Sequence, residues 1–161
     1  MISLRSRFVS FALLLATYPA SDAQTPASNR IAEAIDMSRL VRLPGSSHPL
    51  ANPEFDQGRL SSNTIMHGVS LTFRRSPAQD TNLQNLLTEQ QDHASPNYHK
   101  WLTPEQFANR FGLTSSDVAQ VTRWLESEGF TVDRVARSRT QISFTGSVAR
   151  VESVFHTELS R

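Results

Sequence analysis

The chain has 161 residues, 38% hydrophobic and 19% charged, with a formal net charge of +1 and no cysteine. That is enough for one domain with a modest core, and it excludes disulfide stapling, thiol chemistry and any cysteine-based metal site. The basic residues form no stripe interleaved with aromatics, so nucleic acid is not an expected partner.

At the N-terminus, Arg5 and Arg7 precede an apolar run from Phe8 to Ala16 that is too short to span a bilayer as a helix. Ser21 and Ala23 supply small residues at the minus-three and minus-one positions of a cleavage site. Residues 1–23 are therefore expected to be an export signal cut after Ala23, with Ala20 the second choice and an uncleaved anchor the alternative. Loss of Arg5, Arg7 and Asp22 leaves a formally neutral chain. It is expected to be extracellular or periplasmic, without membrane association after cleavage.

Residues 24–64 are rich in Pro, Ser, Asn and Gly and read as an extended or partly ordered arm. Within it, Ile31, Ala34 and Ile35 share one helical face, which predicts a turn or two of helix over residues 28–39. The folded domain is expected over residues 65–161. Ile65, His67, Val69, Leu71 and Phe73 alternate with smaller or polar residues, the period-two pattern of a half-buried strand that Pro77 ends. On that pattern His67 lies on the apolar face as a buried, hydrogen-bonded imidazole. Leu83, Leu86, Leu87 and Gln90 predict an amphipathic helix over residues 79–91.

Ser95-Pro96-Asn97 breaks that helix, and Thr103-Pro104-Glu105-Gln106 carries the signature of a capping box with proline at the first helical position. A short helix should run to Phe111, with Gly112 stopping it. Thr114 or Ser115 caps a third helix with Val118, Val121, Trp124 and Leu125 as its apolar stripe and Gly129 past its end. Residues 130–136 and 141–145 read as strands around a turn at residues 137–139, with Ile142 and Phe144 inward. A last helix buries Val148, Val151, Val154 and Phe155. Residues 157–160 begin a strand that Arg161 is expected to truncate.

Without the leucine helix and the short capped helix, the order is strand, helix, strand, strand, helix, strand. That is the split β-α-β arrangement of an α+β, ferredoxin-like domain, its helices on one face of an antiparallel sheet. The other face would carry Ser70, Thr72, Arg74, Gln141 and Ser143, polar enough for solvent and flat enough for a partner.

Three motifs carry a more specific signal. Ser95-Pro96, Tyr98-His99, Trp101-Leu102-Thr103-Pro104 and Phe107 form one; Trp124-Leu125 and Gly129-Phe130 form the second; Phe155-His156-Thr157-Glu158 form the third. In order and spacing they resemble the activation propeptide of the sedolisin, or kumamolisin-like serine-carboxyl, peptidases over about residues 40–161. The resemblance implies a non-catalytic module that assists folding of a sedolisin-like catalytic domain and inhibits it until acid triggers cleavage, in cis or in trans. It implies calcium only for the family's catalytic domains, and no cofactor is expected for this chain. The family's catalytic glutamate, aspartates and Ser-Gly-Thr-Ser type loop have no counterpart here, so no residue takes a catalytic role. Glu126, Glu128, Asp133, Glu152, Glu158, His99 and His156 are the candidates for an acid trigger.

Blander readings compete at several positions. Asp92, His93 and His99 match no four-ligand zinc spacing, which favours hydrogen-bonded loop anchoring. Ser95, His99 and Asp92 share one loop without a glycine-flanked serine elbow, so a self-contained hydrolase is disfavoured. Tyr98 and Trp101 are expected as core plugs, with stacking on a sugar or a base as the alternative, and Trp124 as a core residue. Arg134, Arg137 and Arg139 read as a solvated hairpin tip, with pairing to an acidic peptidase surface as the alternative. A free-standing inhibitor and a ferredoxin-like binding module unrelated to proteolysis remain the competing functions.

Overall fold

The computed structural model describes residues 27–41, 43, 45 and 51–161. The expected export signal lies outside the described residues. Among those described, no helix is long and apolar enough to cross a membrane.

Three strands, β1 (Ile65–Thr72), β2 (Thr131–Val135) and β3 (Gln141–Ser147), form an antiparallel sheet in the order β1-β3-β2. Four helices accompany it: α1 (Pro77–Glu89), α2 (Pro104–Phe111), α3 (Ser115–Ser127) and α4 (Val148–Phe155). This is the α+β, ferredoxin-like arrangement the element order predicts. Each helix begins on a side-chain cap: Ser76, Thr103, Thr114 and Ser147 each accept a hydrogen bond from the backbone N–H three residues on. Ser76–Gln79 and Thr103–Gln106 are full reciprocal capping boxes, each with proline at the helix start. Pro77 thus opens α1 rather than merely closing β1, because a missing N–H costs nothing in a first helical turn.

β3 alternates buried and half-buried residues along its length, and its pairing lays out rows across the sheet. Val69, Phe144 and Val132 form one row, and Leu71, Ile142 and Val135 another, both facing the helices. Ile142 and Phe144 are fully enclosed, with Val121 and Leu125 of α3, Phe130, and Val151 and Val154 of α4 completing the core. Phe130, Phe144 and Phe155 pack ring on ring at 4.8–6.0 Å, and Trp124 meets Phe155 edge-on at 6.1 Å. α1 and α2 pack on each other, burying Leu86, Ala108 and Phe111.

Both outer strands are irregular where they cross the middle of β3. The register of β1 shifts between Met66 and Val69, where Gly68 adopts a φ of 69°. That bulge corrects the expected alternation. Met66 turns inward, Ile65 is exposed, and His67 lies on the open face within 3.3 Å of the Thr145 hydroxyl instead of in the core. The register of β2 shifts likewise between Val132 and Arg134, at Asp133.

Three further expectations are corrected. Residues 28–36 are not helical; a short 3-10 turn occupies only Met37–Arg39, after Asp36 caps it. The arm runs extended because its main chain bonds to other elements, and Ile31, Ile35 and Met37 still reach the core while Ala34 stays exposed. In α1, Leu87 is exposed and Gln90, at its C-cap, is buried. Leu159–Arg161 do not join the sheet: Leu60 donates to Leu159, Gln57 to Arg161 and Arg161 back to Gly58, an antiparallel pairing with the segment before β1.

Gly112 ends α2 for a reason of space. A Cβ there would sit 2.3 Å from the Ser138 carbonyl oxygen of the β2–β3 turn, which docks on this point through Leu113 N–H to the Arg139 carbonyl. Gly112→Ala must push that backbone away and is expected to destabilise the domain by about 1–3 kcal/mol. A lowered denaturant midpoint at unchanged slope checks it; an unchanged midpoint contradicts the close approach.

Candidate functional site

Two surfaces stand out once the core is assigned. The first is the uncovered face of the sheet. Ser70, Ser143 and Arg134 form one outward row and Thr145 pairs with Thr131 in the next, with Thr72 opposite Gln141 at the far end. The serine hydroxyls of the first row are 3.4 Å apart. At the bulges, the Thr145 hydroxyl donates to the Asp133 carboxylate at 2.9 Å and lies within reach of the His67 imidazole, so polar contacts run from β1 through β3 to β2. The expected open-face set of Ser70, Thr72, Gln141 and Ser143 therefore gains His67, Thr145 and Asp133, which the bulges bring over. Arg74 lies beyond the end of β1, exposed, and its carbonyl takes the Arg30 guanidinium.

The second surface is the loop between α1 and α2. The rings of His93, Tyr98, His99 and Trp101 follow one another with centroid separations of 4.3, 3.8 and 6.0 Å. Trp101 is 67% exposed, which overturns its reading as a core plug, and Tyr98 is half-buried. The stack is held from beneath. Buried Gln90 donates its side-chain amide to the Lys100 carbonyl, and its own carbonyl receives the His99 N–H at 3.1 Å. His99 sits in the left-handed region, with φ of 53°, a conformation that costs a side-chain-bearing residue energy and persists only where its surroundings impose it. Asp92 and Ser95 are spent on local turns, capping the N–H groups of Ala94 and Asn97. The three residues from which a triad could be drawn thus act as two turn caps and one stacked ring.

The remaining motif residues have structural positions. Pro104 opens α2, Leu102 is half-buried, and Phe107 packs on Phe111 at 5.1 Å. Gly129 takes a φ of 81° just past α3 with the Arg150 side chain over it, and Phe130 and Phe155 join the core rings. His156 ends α4 in the left-handed region, exposed.

The acid-trigger candidates do not form one cluster. Glu152 and Glu158 converge on Arg59, at 2.9 and 2.7 Å, and Glu152 also receives the Leu159 N–H. Glu126 is exposed on α3, Glu128 is half-buried at its C-cap, and Asp133 belongs to the sheet face. Among the arginines, Arg137 pairs with Glu105 at 2.6 Å and thereby holds that carboxyl below its ordinary range. Arg139 is not a solvated tip residue: it is half-buried, bonding Ser115 and Asn109.

Two residues escaped the sequence reading. Arg59 has no local signal, since its partners lie about a hundred positions later. Asp117 had one: Thr114-x-x-Asp117 opens an apolar run, the pattern of an N-terminal cap. That spacing says nothing of its second task, binding the arm N–H groups of Arg30 and Ile31.

The molecule is thus a small α+β, ferredoxin-like domain that leaves a polar sheet face and an aromatic loop open to solvent. The chain belongs to the family described as Pro-kumamolisin, activation domain, whose model matches residues 55–161. It is 29% identical over 154 residues to xanthomonalisin of Xanthomonas sp. (strain T-22), covering 91% of this chain and 18% of that protein. It is 36% identical over 76 residues to tripeptidyl-peptidase sed1 of Aspergillus fumigatus, covering 46% of this chain and 12% of that one. The chain spans less than a fifth of the length of these relatives.

Gln90→Ala removes the clamp under the aromatic loop and leaves the Lys100 carbonyl without that donor. A loss of about 1–3 kcal/mol is expected, together with weaker near-ultraviolet circular dichroism from Tyr98 and Trp101. An unaltered aromatic spectrum contradicts the clamp.

Proposed function

We propose that this chain is an activation propeptide that assists the folding of a secreted, acid-active sedolisin-like serine peptidase and inhibits it until acid-triggered cleavage. The observation that carries this reading is the activation-domain match over residues 55–161 on a fold whose sheet has one face buried by helices and the other bare. The export signal, with cleavage after Ala23, puts the protein outside the cell or in the periplasm.

The open face of β1–β3–β2, the stack from His93 to Trp101 and the segment at Leu159–Arg161 are the contact regions of this proposal. The partner is a peptidase catalytic domain, in the same precursor or as a separate chain. A preformed sheet inhibits by covering a cleft, which needs no chemistry from the propeptide, and an interface of about 800 Å² per partner suffices for tight binding. Acid acts through groups spread over the contact regions and the helices behind the sheet. Protonated Glu152 and Glu158 no longer attract Arg59, and His99 and His156 are the candidate imidazoles of the trigger. Glu126, Glu128 and Asp133 complete the set of groups whose charge acid would remove.

The test is inhibition. Purified chain mixed with an active sedolisin-family peptidase at neutral pH is expected to abolish peptide cleavage, with activity returning on acidification and the chain itself cleaving nothing. Cleavage by the chain alone, or indifference of such peptidases to it at every pH, contradicts the proposal.

A further inference from the structure

The arm that precedes the domain is fastened to it at a buried carboxylate. The Asp117 carboxylate, 1% exposed in the first turn of α3, accepts the Arg30 N–H at 3.2 and 3.0 Å on its two oxygens and the Ile31 N–H at 3.1 Å. Around it, among the described residues, the fastening uses no second carboxylate, and the Arg30 guanidinium donates to the Arg74 carbonyl. Ala27 donates its N–H to the Asn109 carbonyl, Thr114 donates its hydroxyl to the Asn29 side chain, and Gln120 donates to the Glu33 carbonyl. Through these contacts Ile31, Ile35 and Met37 lie against the core.

We infer that Asp117 is a pH-sensitive latch: ionised, it holds residues 27–37 of the arm against the start of α3; protonated, it lets them go while the sheet stays folded. A carboxylate offers lone pairs on both oxygens to converging N–H groups. A carboxylic acid places a proton where an N–H points and gives up the charge that strengthens these bonds.

Burial alone would raise the proton affinity of Asp117, but the bonds from Arg30, Ile31 and Thr114 outweigh it and hold the carboxyl below its ordinary range. The stabilisation is therefore complete above the free-carboxyl value of about 4 and lost as pH falls through the lower folded-state value. The charged groups on the surrounding elements are Arg30 and Glu33 on the arm, Arg74 after β1, Arg110 on α2 and Arg139 in the β2–β3 turn. Among the described residues none forms an ion pair with Asp117. Arg30 is turned to the Arg74 carbonyl and Arg139 to Ser115 and Asn109. No histidine takes part in these contacts, so the latch opens below the window in which imidazoles charge.

The use of such a latch rests on the propeptide reading: acid would bare a stretch of main chain upstream of the inhibitory domain to proteolysis. The opening itself needs no peptidase, so its failure and the failure of inhibition are separate results.

Amide NMR of the full-length chain tests it, with Ile142 and Phe144 as internal reference for the folded sheet. At about pH 6 the Arg30 and Ile31 amides should be shifted downfield and exchange at least about tenfold more slowly than in an unstructured peptide. As the pH falls below about 4 both features should vanish while Ile142 and Phe144 stay protected. Asp117→Asn should free the arm at about pH 6 and abolish the transition; if that variant does not fold, the wild-type titration decides alone. Arm amides that remain protected at low pH, or that are lost only together with Ile142 and Phe144, overturn the latch, as does an Asp117→Asn chain with wild-type arm behaviour.

Discussion

The structure depends on one strand having two different faces. β3 lies between β1 and β2, and its inward residues Ile142 and Phe144 are wholly enclosed while Ser143 and Thr145 point the other way. Burying an Ile and a Phe contributes on the order of 2–3 kcal/mol each, and the same alternation fixes which hydroxyls are left outside. A slip of one residue would exchange the two sets and leave neither a core nor a polar surface. Without disulfides, this register and the ring packing of Phe130, Phe144 and Phe155 hold the domain together.

Around that strand the chain is secured by contacts between parts far apart in sequence. Asp117 ties the arm to α3, Arg59 joins the segment before β1 to Glu152 and Glu158, and the β2–β3 turn rests on Gly112. Buried contacts such as that of Asp117 are worth more than the pairing of Arg59 with Glu158, which is largely solvated.

Local signals in the sequence were reliable where physics is local. The capping box at Thr103, the stripe of Val121 and Leu125, and the alternation of β3 each follow from a few neighbouring residues, and each stands in the structure. The ferredoxin-like order followed from them. His67 was misplaced because a bulge at Gly68 resets the alternation, and a glycine in a strand only hints at that. The arm read as helical from Ile31, Ala34 and Ile35 because apolar spacing cannot show that Asp117, eighty-odd positions later, takes the N–H groups a helix would need. Trp101 read as a core plug because ring size predicts burial, whereas its surroundings present it to solvent. Of the candidate site, the motif residues were visible as a pattern, but their roles as anchors, stack or surface required the fold.

The central claim is that the bare face of β3 is where a peptidase is held. Ser143→Arg/Thr145→Arg places two bulky cations on that face without entering the core, so the thermal midpoint should stay within a few degrees of wild type. Its inhibition constant at neutral pH against a sedolisin-family peptidase is the most direct measurement. A rise of about tenfold or more, equivalent to at least 1.4 kcal/mol, with the fold intact is the predicted result; an unchanged constant would contradict the account.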